Sequence, residues 1–452
     1  MTNVTTLGTI LFIAAVVILI FRRSAYPWLL AVAAAFPNSA AIVVNENALS
    51  PFYFLALPTL FWLPSIAKRL LGPGKTALTV FAVWSIFITA FGPILFAGIL
   101  VLSPRNGIDR GILDPARLGL TVSNLAQGAY LLIAVGFVYF VVKTRSSIFL
   151  PAMTFTIGTI LSSSNFLIVN AGGRWPSELF DSGTSAYTNE DVGGISRLRG
   201  VFAEPSLLAE FSIAAAVYFF FLFFSTKGWV RSVCLGMAVL AGLNLSASMT
   251  GTGTAAALVV IAVIAIYGAK RFLSGGQGVL LATMVLLIGT MASLLWAERA
   301  IDAISTVVNE KIGSYSQITR SSADLFSLGV LKDTYLLGAG LGSNRPSSFV
   351  AMLLSCVGIV GFLAFFWFLT RLIGRAGRTT TGRAISWALF AVVVAKTLAA
   401  PDLSSPILWI LIAGCANESW GVSRGAPDRL DVSRRTEVRN RKVRRTLKLP
   451  VS

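Results

Sequence analysis

From Ser232 to Ala269 the chain runs for 38 residues without a charged side chain, and Thr76–Pro104 adds another 29. A membrane-spanning helix needs about 20 mainly apolar residues, so runs of this length call for helices crossing a bilayer. Composition agrees. Only 12% of the 452 residues are charged and 55% are hydrophobic, whereas soluble domains carry about 25% charge. A water-soluble globule is excluded, and the expected fold is all-α: a polytopic integral membrane protein. Spans are expected near residues 6–21, 24–43, 52–66, 77–101, 121–142, 147–168, 206–225, 230–246, 254–269, 278–296, 347–370, 384–400 and 404–417. That is about 13 helices, within a range of 12–14.

The formal net charge of +18 invites a nucleic-acid reading, but its distribution argues otherwise. No basic residue precedes the first expected span, and Arg22-Arg23 follow it. This is the reverse of a cleaved signal peptide and sets the N-terminus outside, the C-terminus in the cytoplasm. Every short basic connection then falls on one side. The cytoplasmic segments hold 25 basic and 4 acidic residues, the outer ones 11 and 14, and Glu210 and Lys396 fall within spans. The basicity orients the chain, and no nucleic-acid partner is expected. A membrane domain of residues 1–420 precedes a basic tail, 421–452, whose composition suits a disordered segment held near anionic lipid. The chain has no His, which rules out His-ligated zinc and Ser-His-Asp catalysis. Cys234, Cys356 and Cys415 sit in apolar runs and read as small buried hydrophobes. No metal and no cofactor is expected.

Two outer connections, about 171–204 and 298–346, are too long to be turns. In the second, Ile301, Ile304, Val308 and Ile312 recur at helical spacing, which predicts an amphipathic helix on the membrane surface. Nine arginines lie outside, against the orienting rule. Arg197, Arg199 and Arg345 stand in Gly-containing turns just before apolar helices, where a planar guanidinium suits phosphate oxygens. The first motif is Arg199-Gly-Val-Phe-Ala-Glu204-Pro-Ser206. Glu204 falls at a helix start, either as a capping acid or as a carboxylate able to take a proton from a sugar hydroxyl. The second is Gly338-Ala-Gly-Leu-Gly-Ser343-Asn344-Arg345, whose glycines permit close backbone approach to a ligand. Hydroxyls between Ser246 and Thr254 read mainly as small residues packing helices. Glu210 should face protein or water, and Lys396 is expected to snorkel toward Asp402.

With a dozen or so spans, an outer loop ending R-G-x-F-x-E-P-S and a later G-x-G-x-G-S-N-R, the chain resembles the Wzy-type polysaccharide polymerases. These sit with the O-antigen ligases among integral-membrane glycosyltransferases. The resemblance is motif-level at Arg199–Ser206, Ser246–Gly253 and Gly338–Arg345. Ligases of that superfamily use a histidine that this chain lacks, which favours a polymerase. The resemblance implies a location in a bacterial inner membrane with the long loops in the periplasm. It further implies metal-independent, inverting transfer of an undecaprenyl-pyrophosphate-linked glycan onto a lipid-linked repeat unit for O-antigen or exopolysaccharide. On that basis Arg199 and Arg345 would clamp the pyrophosphate and Glu204 would act as base. Ser343 and Asn344 of the second motif would contact substrate, and Arg197 and Arg320 are added from their proximity in the loops alone. Membrane lipid, a flippase and a chain-length regulator are the implied partners. A ligase, a lipid-linked glycan flippase or transporter, and an export-complex scaffold remain as alternatives.

Overall fold

The computed structural model describes residues 2–44, 47–62, 75–102, 114–147, 149–183, 191–192, 195–273, 315–399 and 401–421. It begins with β1 (Thr2–Val4) and α1 (Thr6–Phe21), whose cap Thr5 accepts from the Gly8 N–H. The expected span 24–43 differs from the prediction: its only α-helix is the eight-residue α2 (Tyr26–Ala33). The span expected at 52–66 is helical over its described part, as α3 (Pro51–Ala56) and a 3₁₀ stretch, Leu57–Trp62, and its last four positions lie outside the described residues. Pro37 lacks a backbone donor and pushes Phe36 out of helical space, so the helix stops while the apolar run continues. By Ala41 the chain is back where α1 began, since Thr5 N–H donates to Ala41 O at 3.2 Å. Residues 22–41 therefore cross the bundle partly as irregular backbone. Such backbone survives at membrane depth only where protein covers it, and Ala35, Ser39, Ala40 and Ala41 are at most 2% exposed.

Three small antiparallel sheets of two- and three-residue strands accompany the helices, and the all-α class holds. β2 (Ile42–Val44) pairs with β1 and with β3 (Asn47–Leu49). After α4 (Lys75–Leu95), β4 (Leu100–Leu102) pairs with β5 (Pro115–Arg117). Then follow α5 (Val122–Lys143), α6 (Leu150–Asn170), the short α7 (Ser177–Phe180) and the pair β6 (Asp191–Val192) and β7 (Ile195–Ser196). All three sheets lie in connections, where backbone groups outside helices still need partners.

The helices continue as α8 (Pro205–Ser225), α9 (Trp229–Ser248), α10 (Gly251–Leu273), α11 (Tyr315–Asp333), α12 (Phe349–Ala376), α13 (Thr380–Ala399) and α14 (Pro406–Gly421). Eight described helices are long and apolar enough to cross a membrane: α4, α5, α6, α8, α9, α10, α12 and α13. At 16 residues each, α1 and α14 are shorter. The chain is thus a mainly helical, membrane-embedded protein. The expected span 278–296, the amphipathic helix at 301–312 and the tail beyond residue 421 lie outside the described residues. Within the second expected loop, 315–333 is helical. Thr319, Ala323, Ser327 and Val330 recur at helical spacing and are buried, and α11 packs on α12.

At the centre stands α14, buried on every side from Leu408 to Ala413, as befits a helix that is apolar all round. It touches α5, α6, α12 and α13, while α8 packs most extensively on α9 and α13. α12 breaks at Gly358 (φ 66°, ψ −174°), and groups outside the helix partner several of the backbone atoms around the break. The Ser355 and Cys356 carbonyls accept from the Ala339 and Gly340 N–H groups, both at 2.8 Å, and Ile359 N–H donates to Leu336 O at 3.0 Å. Val357 O accepts from the Trp84 indole N–H at 2.7 Å. At one end of the bundle the expected cytoplasmic connections meet: Asn417 donates to Ser146 O, Ser225 to Thr380 O, and Lys75 lies over the Trp420 ring.

Candidate functional site

The first motif closes the opposite end. Gly200 (φ +58°) allows the turn, and a Cβ there would sit 2.5 Å from Ser162 Cβ. The turn directs Arg199 onto Asp181, with Nη1–Oδ1 at 2.7 Å and Nη2–Oδ2 at 3.1 Å, a bidentate, charge-assisted pair. Asp181 Oδ1 also accepts from Asn38 Nδ2 at 2.9 Å. Ser39 Oγ donates to Phe180 O and Ala40 N–H to Ser182 Oγ, both at 3.0 Å. The guanidinium expected to clamp a pyrophosphate is thus engaged by a carboxylate. It fastens the 180–183 stretch, and through it the irregular 34–41 crossing, to the start of α8.

Glu204 is the N-cap residue of α8 in extended conformation, with Pro205 opening the first turn, where proline costs no hydrogen bond. Its side chain caps no N–H; Oε2 instead accepts from Ser206 Oγ at 2.9 Å. Arg197 stands close enough to respond to it. Burial lowers the Arg197 pKa from the ordinary arginine value, and the Glu204 carboxylate pushes it back up. With its half-buried carboxylate at the positive end of the α8 dipole, Glu204 is placed to accept a hydrogen bond.

Phe202 and Leu207, which bracket Glu204 in sequence, line a cavity of about 230 Å³. Its floor carries a feature that sequence reading did not foresee. Lys396 does not snorkel: it is fully buried, and Nζ lies 3.3 Å from Glu210 Oε1. Asp402, which the lysine was expected to reach, is exposed at the cavity edge, accepting from Ser404 N and Oγ. Tyr53, Tyr130 and Ser50 complete the polar lining. The pairing had one sequence signal, a lone acid and a lone base each placed within an apolar span, but nothing local linked two positions on different helices.

The second motif is folded inward. Gly338, Gly340 and Gly342 all have positive φ, and a Cβ on Gly342 would meet Ser123 O at 2.6 Å. The glycines let this turn pack closely against neighbouring segments. Ser343 Oγ donates to Ala339 O and accepts from Asn124 Nδ2. Asn344 accepts from Leu102 N–H and donates to Ser327 and Ser355 hydroxyls. Both side chains are buried, and intramolecular bonds occupy them. Only Arg345 emerges: its backbone N–H donates to Leu102 O, and its side chain is exposed. Arg320 is half-buried on α11, where Asp324 accepts from the Ser347 and Ser348 N–H groups and so holds the chain entering α12, whose cap is Ser348. Among the described residues no hydrogen bond joins the two motifs. The hydroxyl-rich break is the turn between α9 and α10, with Met249 left-handed and Ala247 O accepting from Leu198 N–H. No protein-family model matches this chain, and no curated protein matches it either.

Proposed function

We propose that this chain is a polysaccharide polymerase of the inner membrane, acting at its periplasmic face on undecaprenyl-pyrophosphate-linked oligosaccharides. The observation carrying this reading is that Phe202 of the R-G-x-F-x-E-P-S turn lines the cavity together with Leu207 at the start of α8, while Glu204, between them in sequence, is close enough for its charge to act on Arg197. In the reaction the bond from the anomeric carbon to the pyrophosphate oxygen breaks. A glycosidic bond forms to a hydroxyl of the incoming repeat, undecaprenyl pyrophosphate leaves, and the hydroxyl proton passes to Glu204. The leaving group is already good, so positioning and charge stabilisation are the main demands. Arg345 and Arg320, which form no ion pair with a carboxylate among the described residues, are the better pyrophosphate contacts, with Arg197 nearer the acceptor. Arg199 is a positioning residue acting through Asp181.

The test is a ladder assay with the full chain in proteoliposomes and lipid-linked repeat units. Glu204→Gln should slow elongation by about 10²–10⁴-fold, the usual range for loss of a general base. Elongation at the unaltered rate in Glu204→Gln removes the base role.

A lipid-linked glycan transporter is the second reading. It is favoured by the buried Glu210–Lys396 pair and by two interrupted crossings, 22–41 and α12, which transporters use at their binding sites. Lipid-linked monomers that cross the vesicle membrane and never lengthen would decide for it.

A further inference from the structure

We propose that the cavity below the start of α8 is a subsite for a neutral sugar ring, held by Lys396, Glu210 and Tyr53. The inference deepens the glycosyltransferase reading and rests on it for the identity of the molecule delivered there.

A buried ion pair kept only for packing is closed off by further hydrogen bonds to its remaining donors and lone pairs. This one is left open. Glu210 Oε2, the Tyr53 hydroxyl and the Ser50 hydroxyl have no hydrogen-bond partner among the described residues, and Lys396 Nζ has none there beyond its ion-pair contact with Glu210 Oε1. All four residues line the same cavity. Lys396, Glu210 and Tyr53 are 0%, 5% and 3% exposed. An ammonium has three donors, a carboxylate about four acceptor sites, and a phenol one of each kind. Their open valences match a ligand whose groups both donate and accept, as vicinal hydroxyls do.

Charge narrows the class. The cavity brings two carboxylates, Glu210 and Asp402, against one ammonium, a balance that repels phosphate and uronate. The remaining walls are largely apolar, with aliphatic side chains such as Leu207 and Ile407 beside aromatic rings. Tyr53 and Tyr130 have ring centroids 4.4 Å apart, and Phe202 and Phe211 4.8 Å. Apolar walls with a few convergent polar groups are the usual pattern of a small-molecule site, and they suit the C–H faces of a pyranose. At about 230 Å³ the space lies below the ~300–1,000 Å³ of drug-sized pockets, which limits the occupant to about one ring. Lipid-linked pyrophosphate then belongs outside it, by the exposed arginines.

The test uses the purified full chain in nanodiscs. The probes are methyl glycosides of neutral hexoses, 6-deoxyhexoses and N-acetylhexosamines, set against glucuronate and inorganic pyrophosphate. Saturation-transfer NMR and titration calorimetry supply the readout. At least one neutral glycoside should bind without competition from either anion. Tyr53→Phe should weaken it about tenfold, the loss of one hydrogen bond. Glu210→Gln combined with Lys396→Met should abolish binding while the chain still melts cooperatively; if that variant does not fold, Tyr53→Phe alone decides. Absence of binding by every neutral glycoside, competition by pyrophosphate, or indifference to Tyr53→Phe would overturn the proposal. The two assignments fail separately. Sugar binding without a ladder keeps the subsite and rejects the polymerase. A ladder from Tyr53→Phe with unchanged acceptor KM rejects the subsite and keeps the polymerase.

Discussion

Arg199 and Asp181 meet in a geometry that serves as a fastener. At 19% and 14% side-chain exposure the pair sits between surface and core, so its coupling should be about 1 kcal/mol, the upper part of the exposed range. Arg199→Ala and Asp181→Ala should each lower thermal stability, and the double variant should lose clearly less than their sum. Activity separates the roles. If Arg199 only positions, Asp181→Ala should reduce elongation as much as Arg199→Ala does; if it contacts pyrophosphate, only the arginine variant should fail. A second expectation concerns Lys396. Removing one member of a buried pair strands the other, at about 3–5 kcal/mol, whereas replacing both with neutral groups is far milder. Lys396→Met should therefore be more destabilising than Lys396→Met with Glu210→Gln, measured by detergent-dependent melting.

Single helices show where apolar patterning stops being informative. At Gly358 the backbone lies in a region essentially restricted to glycine, costing about 1–3 kcal/mol for other residues, and a Cβ would run into the Leu336 and Leu337 carbonyls. Gly358→Ala should lower the melting temperature and loosen Trp84, visible as a red-shifted indole emission once its bond to Val357 O is lost. The long spans were legible because some 20 apolar residues in a row leave few alternatives. The break in α12 was not, because Ser355 to Gly361 is as apolar as any helix, and the groups that satisfy it come from Leu336–Gly340 and Trp84. Residues 24–43 misled for the same reason: hydropathy measures whether a segment can leave water, not whether it leaves as a helix. In the site, the turn at Arg199–Ser206 and the helix start at Glu204 could be read locally. Asn38, Asp181 and the Glu210–Lys396 pairing could not, since each depends on a partner more than a hundred residues away or on another helix.

For the whole molecule, the charge segregation yields a topology that labelling can check. All three cysteines are buried, so the native chain should resist membrane-impermeant maleimide in intact cells. Glu178 and Lys227 are both exposed and lie on connections expected on opposite sides. Glu178→Cys should label from outside and Lys227→Cys only after the membrane is opened. Labelling of Lys227→Cys in intact cells would invert the orientation and put the cavity on the cytoplasmic side.

The fastening of residues 34–41 also bears on how the protein is made. Their partners at Leu179–Gly183 are synthesised some 140 residues later, which at ~5–20 residues per second is roughly 7–28 s of translation. Throughout that interval the second crossing lacks these partners for its irregular backbone. It must wait beside the insertion machinery or sit as a provisional helix. The N-terminal region is thus first to be translated and among the last to mature.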